Sequence, residues 1–233
     1  MANLCIIPAR GGSKRIPKKN SKMFLGKPVI AYAIAMAKQT KLFDIIMVST
    51  DDEDIAAIAR ANGAEIPFMR SAVNSSDVAT TYDVLAEVLE RYAEQGDVFI
   101  NGCCIYPCTP LLKPENVIEG HNKLTAENYD TVISLVKYAT PVQRAYTISN
   151  NKLSMMYQEY ANTRSQDLTP AYYDAGQFYW FKAERLLHNK TLIGNNMGAV
   201  ILNETEVQDI DNETDWTMAE LKYKNLKNTD HEL

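Results

Sequence analysis

The chain has 233 residues, 46% of them hydrophobic, and a formal net charge of −5. That length fits one sizeable domain with a real core, and the acidic balance argues against a nucleic-acid binder working by bulk electrostatics. No stretch approaches the ~20 apolar residues that span a membrane, and Pro8 and Arg10 interrupt the first apolar run, so no secretory signal is read and a soluble, cytoplasmic protein is expected.

Leu4 to Pro8 reads as a buried strand, and the glycine pair and cations after it read as a loop leaving its carboxyl end. A helix follows from Pro28 to Lys38, with Pro28 at its first position and an apolar stripe through Val29, Ile30, Ala33, Ile34 and Ala37. Ile45 to Ser49 is a second buried strand. Thr50 is expected to cap the next helix, with Glu53 completing a capping box and Gly63 ending it. Asp83 to Gln95 is a third helix, with Gly96 beyond its end, and Val98 to Ile105 a third strand. Pro114 starts another helix, and Thr131 to Val136 is a fourth strand. Strands alternating with helices imply an α/β protein, its mainly parallel sheet covered on both faces. From about Lys137 to Tyr172 the rhythm breaks into a segment rich in Asn, Gln, Ser and Tyr, which reads as an insertion. Val200 to Leu202 returns to the sheet, and a last helix starts near Thr214. Cys5, Cys103, Cys104 and Cys108 form no CxxC pair and read as reduced core thiols. His121, His188 and His231 read as surface residues.

Four constellations could carry chemistry. Arg10, Lys14, Arg15, Lys18 and Lys19 surround Gly11 and Gly12, and backbone N–H groups plus cations at a strand exit suit a polyphosphate. The spacing is neither GxGxxG nor that of a P-loop, and a solvated basic turn is the plainer alternative. Asp209 and Asp211, alternate residues of an extended segment, could hold one hard cation such as Mg²⁺ together with phosphate oxygens. Taken without the basic loop, they read as an acidic turn before a helix. Ile105 to Leu111 makes a rigid strand exit on which Tyr106 and Thr109 could line a substrate pocket. Arg164, within Thr163 to Leu168, has the planar fork that matches a carboxylate. The Phe178, Tyr179, Trp180 run reads as core.

Together these segments resemble the nucleotide-sugar cytidylyltransferases that act on nonulosonic acids. Ile7 to Asn20 is similar to that family's IPARGGSKxxPxKN signature, Arg164 to Leu168 to its RRQDLP motif, and Asp209-Ile210-Asp211 to its DID metal motif. Ser49 to Ala56 and Pro67 to Arg70 also resemble family segments. Sialic acid synthetases usually carry Gln where Tyr106 stands, a second Arg where Ser165 stands, and Asn-Gly near Ala175-Gly176. These departures favour pseudaminic acid over N-acetylneuraminic acid as acceptor. Cys108 departs from the usual Thr, Ser or Ala.

The resemblance implies a Rossmann-like nucleotidyltransferase fold over 1–233, with a dimerisation arm inserted at about 137–175. It implies transfer of CMP from CTP to a nine-carbon acid, with Mg²⁺ on Asp209 and Asp211 and a homodimer as the working form. Arg10, Lys14, Lys19 and Asp211 would be catalytic. Ala9, Arg10, Gly11, Gly12, Asn20, Arg70 and Ser76 would bind the nucleotide. Tyr106, Thr109, Arg164, Gln166, Asp174 and Gln177 would bind the acceptor. A nucleotide-binding regulator that kept the fold is the competing reading of another class. A dehydrogenase is disfavoured by the missing dinucleotide fingerprint.

Overall fold

The computed structural model describes residues 2–229. Its elements run β1 (Asn3–Pro8), β2 (Met23–Phe24), β3 (Lys27–Pro28), α1 (Val29–Thr40), β4 (Ile45–Ser49), α2 (Glu53–Ala61), α3 (Thr81–Glu94) and β5 (Asn101–Ile105). They continue with α4 (Pro114–Ala126), β6 (Thr131–Lys137), β7 (Tyr146–Ser149), β8 (Lys152–Met155), β9 (Tyr172–Lys182), α5 (Ala183–Asn189), β10 (Met197–Leu202) and α6 (Glu213–Thr229). Six strands form one sheet in the order β10-β6-β9-β5-β1-β4. Its parallel pairs are β1 with β4, β1 with β5, and β10 with β6. β9 alone runs antiparallel, between β5 and β6.

Side-chain alternation along β1 explains why both faces are covered. Cys5 and Ile7 point to a core shared with α1, α2 and α4, through Ile34, Ile55 and Val117 among others. Leu4 and Ile6 point to a core shared with α3 and α5, through Leu85, Leu89 and Leu186. A third, smaller cluster joins Ile16, Phe24, Cys108, Ile210 and Trp216, and packs α6 beneath the loops at the carboxyl edge. Cys5, Cys103, Cys104 and Cys108 are buried free thiols, as expected. Phe178 and Trp180 are core, also as expected, while Tyr179 is buried but also lines a cavity.

Several local expectations are corrected. Asp52, not Thr50, caps α2: its carboxylate accepts from the Ile55 N–H at 3.0 Å. Thr50 is buried and its hydroxyl accepts from the Asp52 N–H at 3.1 Å, so it shapes the strand exit. Glu53 faces solvent near Arg60. The reciprocal capping box lies at α3, between Thr80 and Asp83, which starts that helix at Thr81 rather than Asp83. Pro28 sits at the N-cap of α1, one position before the expected one. Val98 and Ile100 are exposed, and β5 begins only at Asn101. His121 is no plain surface residue. Its ring lies 4.9 Å from that of Trp180 and its Nε2 is 3.3 Å from Asn3 Nδ2, and burial lowers its pKa. His188 is exposed, and His231 lies outside the described residues.

The insertion lies between β6 and β9, whose last and first residues pair as Lys137 with Tyr172. It contains the antiparallel hairpin β7–β8. Among the described residues no helix is long and apolar enough to cross a membrane.

Candidate active site

The carboxyl ends of β1 and β5 open into a cavity of about 610 Å³. Its walls come from the loop after β1, residues 70–81, the exit of β5, Gly176 at the start of β9, and Asp209 to Asp211. Parallel strands end together at this edge, which is why segments far apart in sequence converge there.

The first loop is fixed from beneath. Ala9 is fully buried and donates its N–H to Ser49 O at 2.9 Å. Gly11 donates its N–H to Asp51 Oδ1 at 2.9 Å. A Cβ on Gly11 would lie 2.6 Å from an oxygen of Asp52, so glycine is required by close packing. Gly12 has open space around it. Ala9 and Gly11 therefore build the loop's foundation rather than the cavity wall. Asn20 donates to Arg10 O at 2.9 Å, and its Oδ1 accepts from the Cys108 thiol at 3.4 Å. Cys108 thus orients the amide that braces Arg10. Burial pushes its thiol pKa up to about 12.

The cations of the loop face carboxylates. Arg10 meets Asp77 at 3.0 Å and the Ser76 carbonyl at 3.3 Å, and Lys14 also pairs with Asp77. Arg15 meets Asp211 at 2.7 Å. Lys19 donates to Ile210 O at 2.7 Å and lies 3.8 Å from Asp211. Arg70 is buried, with its Nε on Ser49 Oγ at 2.9 Å, and burial lowers its pKa. Ser76 lines the cavity while its hydroxyl donates to Val73 O at 2.8 Å.

Asp209 and Asp211 border the same cavity. Partial burial, and then the neighbouring charge of Asp211, raise the pKa of Asp209. Two carboxylates that repel one another beside a cationic loop suit a hard divalent cation. Among the described residues no cluster of three acidic, His or Cys groups could hold one unaided. Mg²⁺ commonly takes one or two carboxylates and completes its shell with phosphate oxygens and water, so these residues fit it in company with a polyphosphate. Gly176, at φ +60°, brings β9 close enough that a Cβ there would lie 3.5 Å from Asp209 Cγ.

A second cavity of about 370 Å³ adjoins the first and shares Thr80, Thr81 and Tyr106 with it. Its far wall is Asp174, Tyr179 and the stretch Lys190 to Ile193. Tyr106 and Thr81 hydroxyls lie 2.9 Å apart, and burial pushes the Tyr106 phenol up to about 12. Tyr179 donates to Asp174 Oδ2 at 2.8 Å. Gln177 is buried: Nε2 donates to Ala175 O at 2.9 Å, Oε1 has no partner among the described residues, and its backbone O accepts from Tyr106 N. Thr109 is buried in the turn below, its hydroxyl donating to Tyr106 O at 2.9 Å, and it borders neither cavity.

Arg164 and Gln166 stand apart from both cavities. They lie exposed on the insertion, where Arg164 Nε meets Asp167 at 2.7 Å. Asp77, Tyr179 and Lys190 to Ile193 are cavity residues that the motifs did not single out. Asp77 lies in a Ser- and Asn-rich loop with no spacing signature. Tyr179 was hidden inside an aromatic run that reads as core.

A cationic loop leaving the first strand of a mainly parallel sheet, set across one cavity from a carboxylate pair, is the site of a nucleotidyltransferase. Residues 4–225 match the family model described as cytidylyltransferase, and the chain belongs to that family. It is similar to the pseudaminic acid cytidylyltransferase of Campylobacter jejuni, 37% identical over 96% of this chain and 97% of the relative. It is also similar to the CMP-N,N'-diacetyllegionaminic acid synthase of Legionella pneumophila, 32% identical over 94% of this chain and 95% of that one. A solved CMP:2-keto-3-deoxy-manno-octonic acid synthetase complexed with CTP shares the fold. Its TM-score is 0.72 over 98% of this chain and 100% of that one, at 16% identity.

Proposed function

We propose that this enzyme transfers CMP from CTP to the anomeric hydroxyl of pseudaminic acid and releases pyrophosphate. The observation that carries the reading is the cavity itself, where Arg10, Lys14 and Lys19 converge on the same space as Asp209 and Asp211. Pseudaminic acid is taken from the Campylobacter relative and agrees with Tyr106 and Ser165 standing where sialic acid synthetases usually carry Gln and Arg.

The chain's own residues divide the work. Arg10, Lys14 and Lys19 hold the triphosphate and meet the charge that grows on the departing pyrophosphate, which is the dominant contribution open to a phosphoryl-transfer site. Asn20, Arg70 and Ser76 border the nucleotide. Tyr106, Asp174 and Gln177 shape the acceptor side, at or behind the wall of the second cavity, and orient the hydroxyl for in-line attack on the α-phosphorus. Asp209 and Asp211 would hold Mg²⁺, which when bound neutralises phosphate charge and polarises phosphoryl oxygens.

Arg164 and Gln166 complete the acceptor site from a second copy of the chain. The insertion exposes Ile148 and Leu153 at 75% and 65%, and a lone two-stranded hairpin has little stability of its own, which supports a homodimer built through this arm. Buried free thiols suit a reducing, cytoplasmic setting.

The test is pyrophosphate release with CTP and Mg²⁺, run with pseudaminic acid, N-acetylneuraminic acid, N,N'-diacetyllegionaminic acid and no acceptor. Release with pseudaminic acid alone is expected. Release with another acid would keep the chemistry and overturn the reading of Tyr106 and Ser165. CTP binding with no release under any acceptor would favour a nucleotide-binding regulator.

A further inference from the structure

Asp77 does something the proposed reaction does not call for. It pairs with Arg10 at 3.0 Å and also with Lys14, so one carboxylate occupies the position of an anion against both cations. Its pKa is lowered, first by Lys14 and then by Arg10.

The chain on either side is anchored to α3, whereas the middle is held through the Ser76 carbonyl and the Asp77 carboxylate on Arg10 and Lys14. Glu87 accepts from Ser71 N–H at 2.8 Å, Ser71 Oγ at 2.9 Å and Asn74 Nδ2 at 2.6 Å, which holds the start of the loop to α3. Thr80 and Asp83 hold its end through the capping box. Between them, Asp77 and Val78 form a turn, and Val78 is 88% exposed. A short strap with fixed ends and few contacts opens at low cost.

We infer that Asp77 is an internal counter-anion that occupies Arg10 and Lys14 when no nucleotide is bound and is exchanged for the incoming triphosphate. The inference rests on the reading that these two cations hold the phosphates. A triphosphate on Arg10 and Lys14 brings several negative charges beside the Asp77 carboxylate, and like charges at that range disfavour each other. The strap can then yield while Ser71 to Asn74 and α3 stay in place. After the reaction, Asp77 competes with pyrophosphate for the same two cations and speeds its departure. Both ion pairs are solvent-exposed, so the competition is mild.

The test is equilibrium binding of CTP, CDP and CMP to the full chain at fixed Mg²⁺, comparing wild type with Asp77→Asn, Asp77→Glu and Arg10→Ala. Asp77→Asn should bind CTP roughly two- to tenfold more tightly, the range that two exposed ion pairs can contribute. The gain should shrink for CDP and vanish for CMP, because fewer phosphates reach the cations. Asp77→Glu keeps the charge and should stay close to wild type. Unchanged or weaker CTP binding by Asp77→Asn overturns the inference. So does an equal gain for all three nucleotides, which would mean general loosening of the loop. A higher Mg²⁺ requirement in Asp77→Asn would also overturn it, since Asp77 would then belong with Asp209 and Asp211. Arg10→Ala separates the two levels. Weakened CTP binding in that variant upholds the phosphate reading whatever Asp77→Asn does, and unchanged binding sinks both.

Discussion

The cavity wall and the inserted segment hold their functional groups in different ways. In the wall, Arg70 is buried on Ser49, Asn20 is clamped between Cys108 and Arg10 O, and Tyr106 is hydrogen-bonded to Thr81. Each group is oriented by packing from within one chain. In the insertion, both faces of β7–β8 are exposed, and Arg164 is held by a carboxylate three residues away. An i,i+3 pair on the surface contributes little, so Arg164 is free to take another partner. The wall is prepared in advance, whereas Arg164 on the insertion is held only by a local, exposed pair.

The comparison can be broken at either end. Trp180, on β9, is fully buried between the sheet and α4 and donates its indole N–H to Val117 O at 2.9 Å. Trp180→Ala should cost about 3–5 kcal/mol in denaturant unfolding, while Leu153→Ala on the hairpin should stay within about 0.5 kcal/mol for the monomer. Comparable losses would mean that the hairpin carries a core of its own.

Asp211→Ala should lower pyrophosphate release by roughly a hundredfold or more, about 2.7 kcal/mol, with an unfolding midpoint near that of wild type. Near-normal Mg²⁺-dependent turnover in the folded variant would remove the metal assignment. Ile148→Asp combined with Leu153→Asp should weaken self-association at least about tenfold in sedimentation, since it places like charges on surfaces that must desolvate. An unchanged dimer would move the interface elsewhere. Arg164→Ala should raise the KM for the acid by about tenfold and leave that for CTP nearly unchanged. An equal rise in both would end its role as a carboxylate partner.

Much of the wall was legible in the sequence because each segment carried two signals at once. The first loop combined glycines with cations at a strand exit, and Asp209 and Asp211 combined alternation with like charge. β9 was not legible as a strand. Its first half is polar and bends at Gly176 through a positive φ, and its pairing with β6 shifts register between Ile133 and Leu135, so no clean alternation is visible. The Thr50–Glu53 spacing of a capping box points to Thr50 as the cap of α2, but Thr50 is buried at the strand exit and the Asp52 carboxylate takes the Ile55 N–H instead. Asp77 was silent because an ion pair between residues 63 or 67 positions apart leaves no spacing pattern. The motif around Arg164 does not say where the residue stands in space, and the structure places it exposed on the insertion, apart from both cavities.

One feature of the sheet bears on how such a protein can vary. β6 and β9 are antiparallel neighbours, with Lys137 opposite Tyr172, so the whole insertion is the loop of one long hairpin. Both of its ends leave and re-enter the sheet at adjacent positions. Loop closure grows only slowly in cost with length. The stretch 138–171 therefore behaves as a cassette. It can be lengthened, shortened or exchanged without altering the order of any strand in the six-stranded sheet.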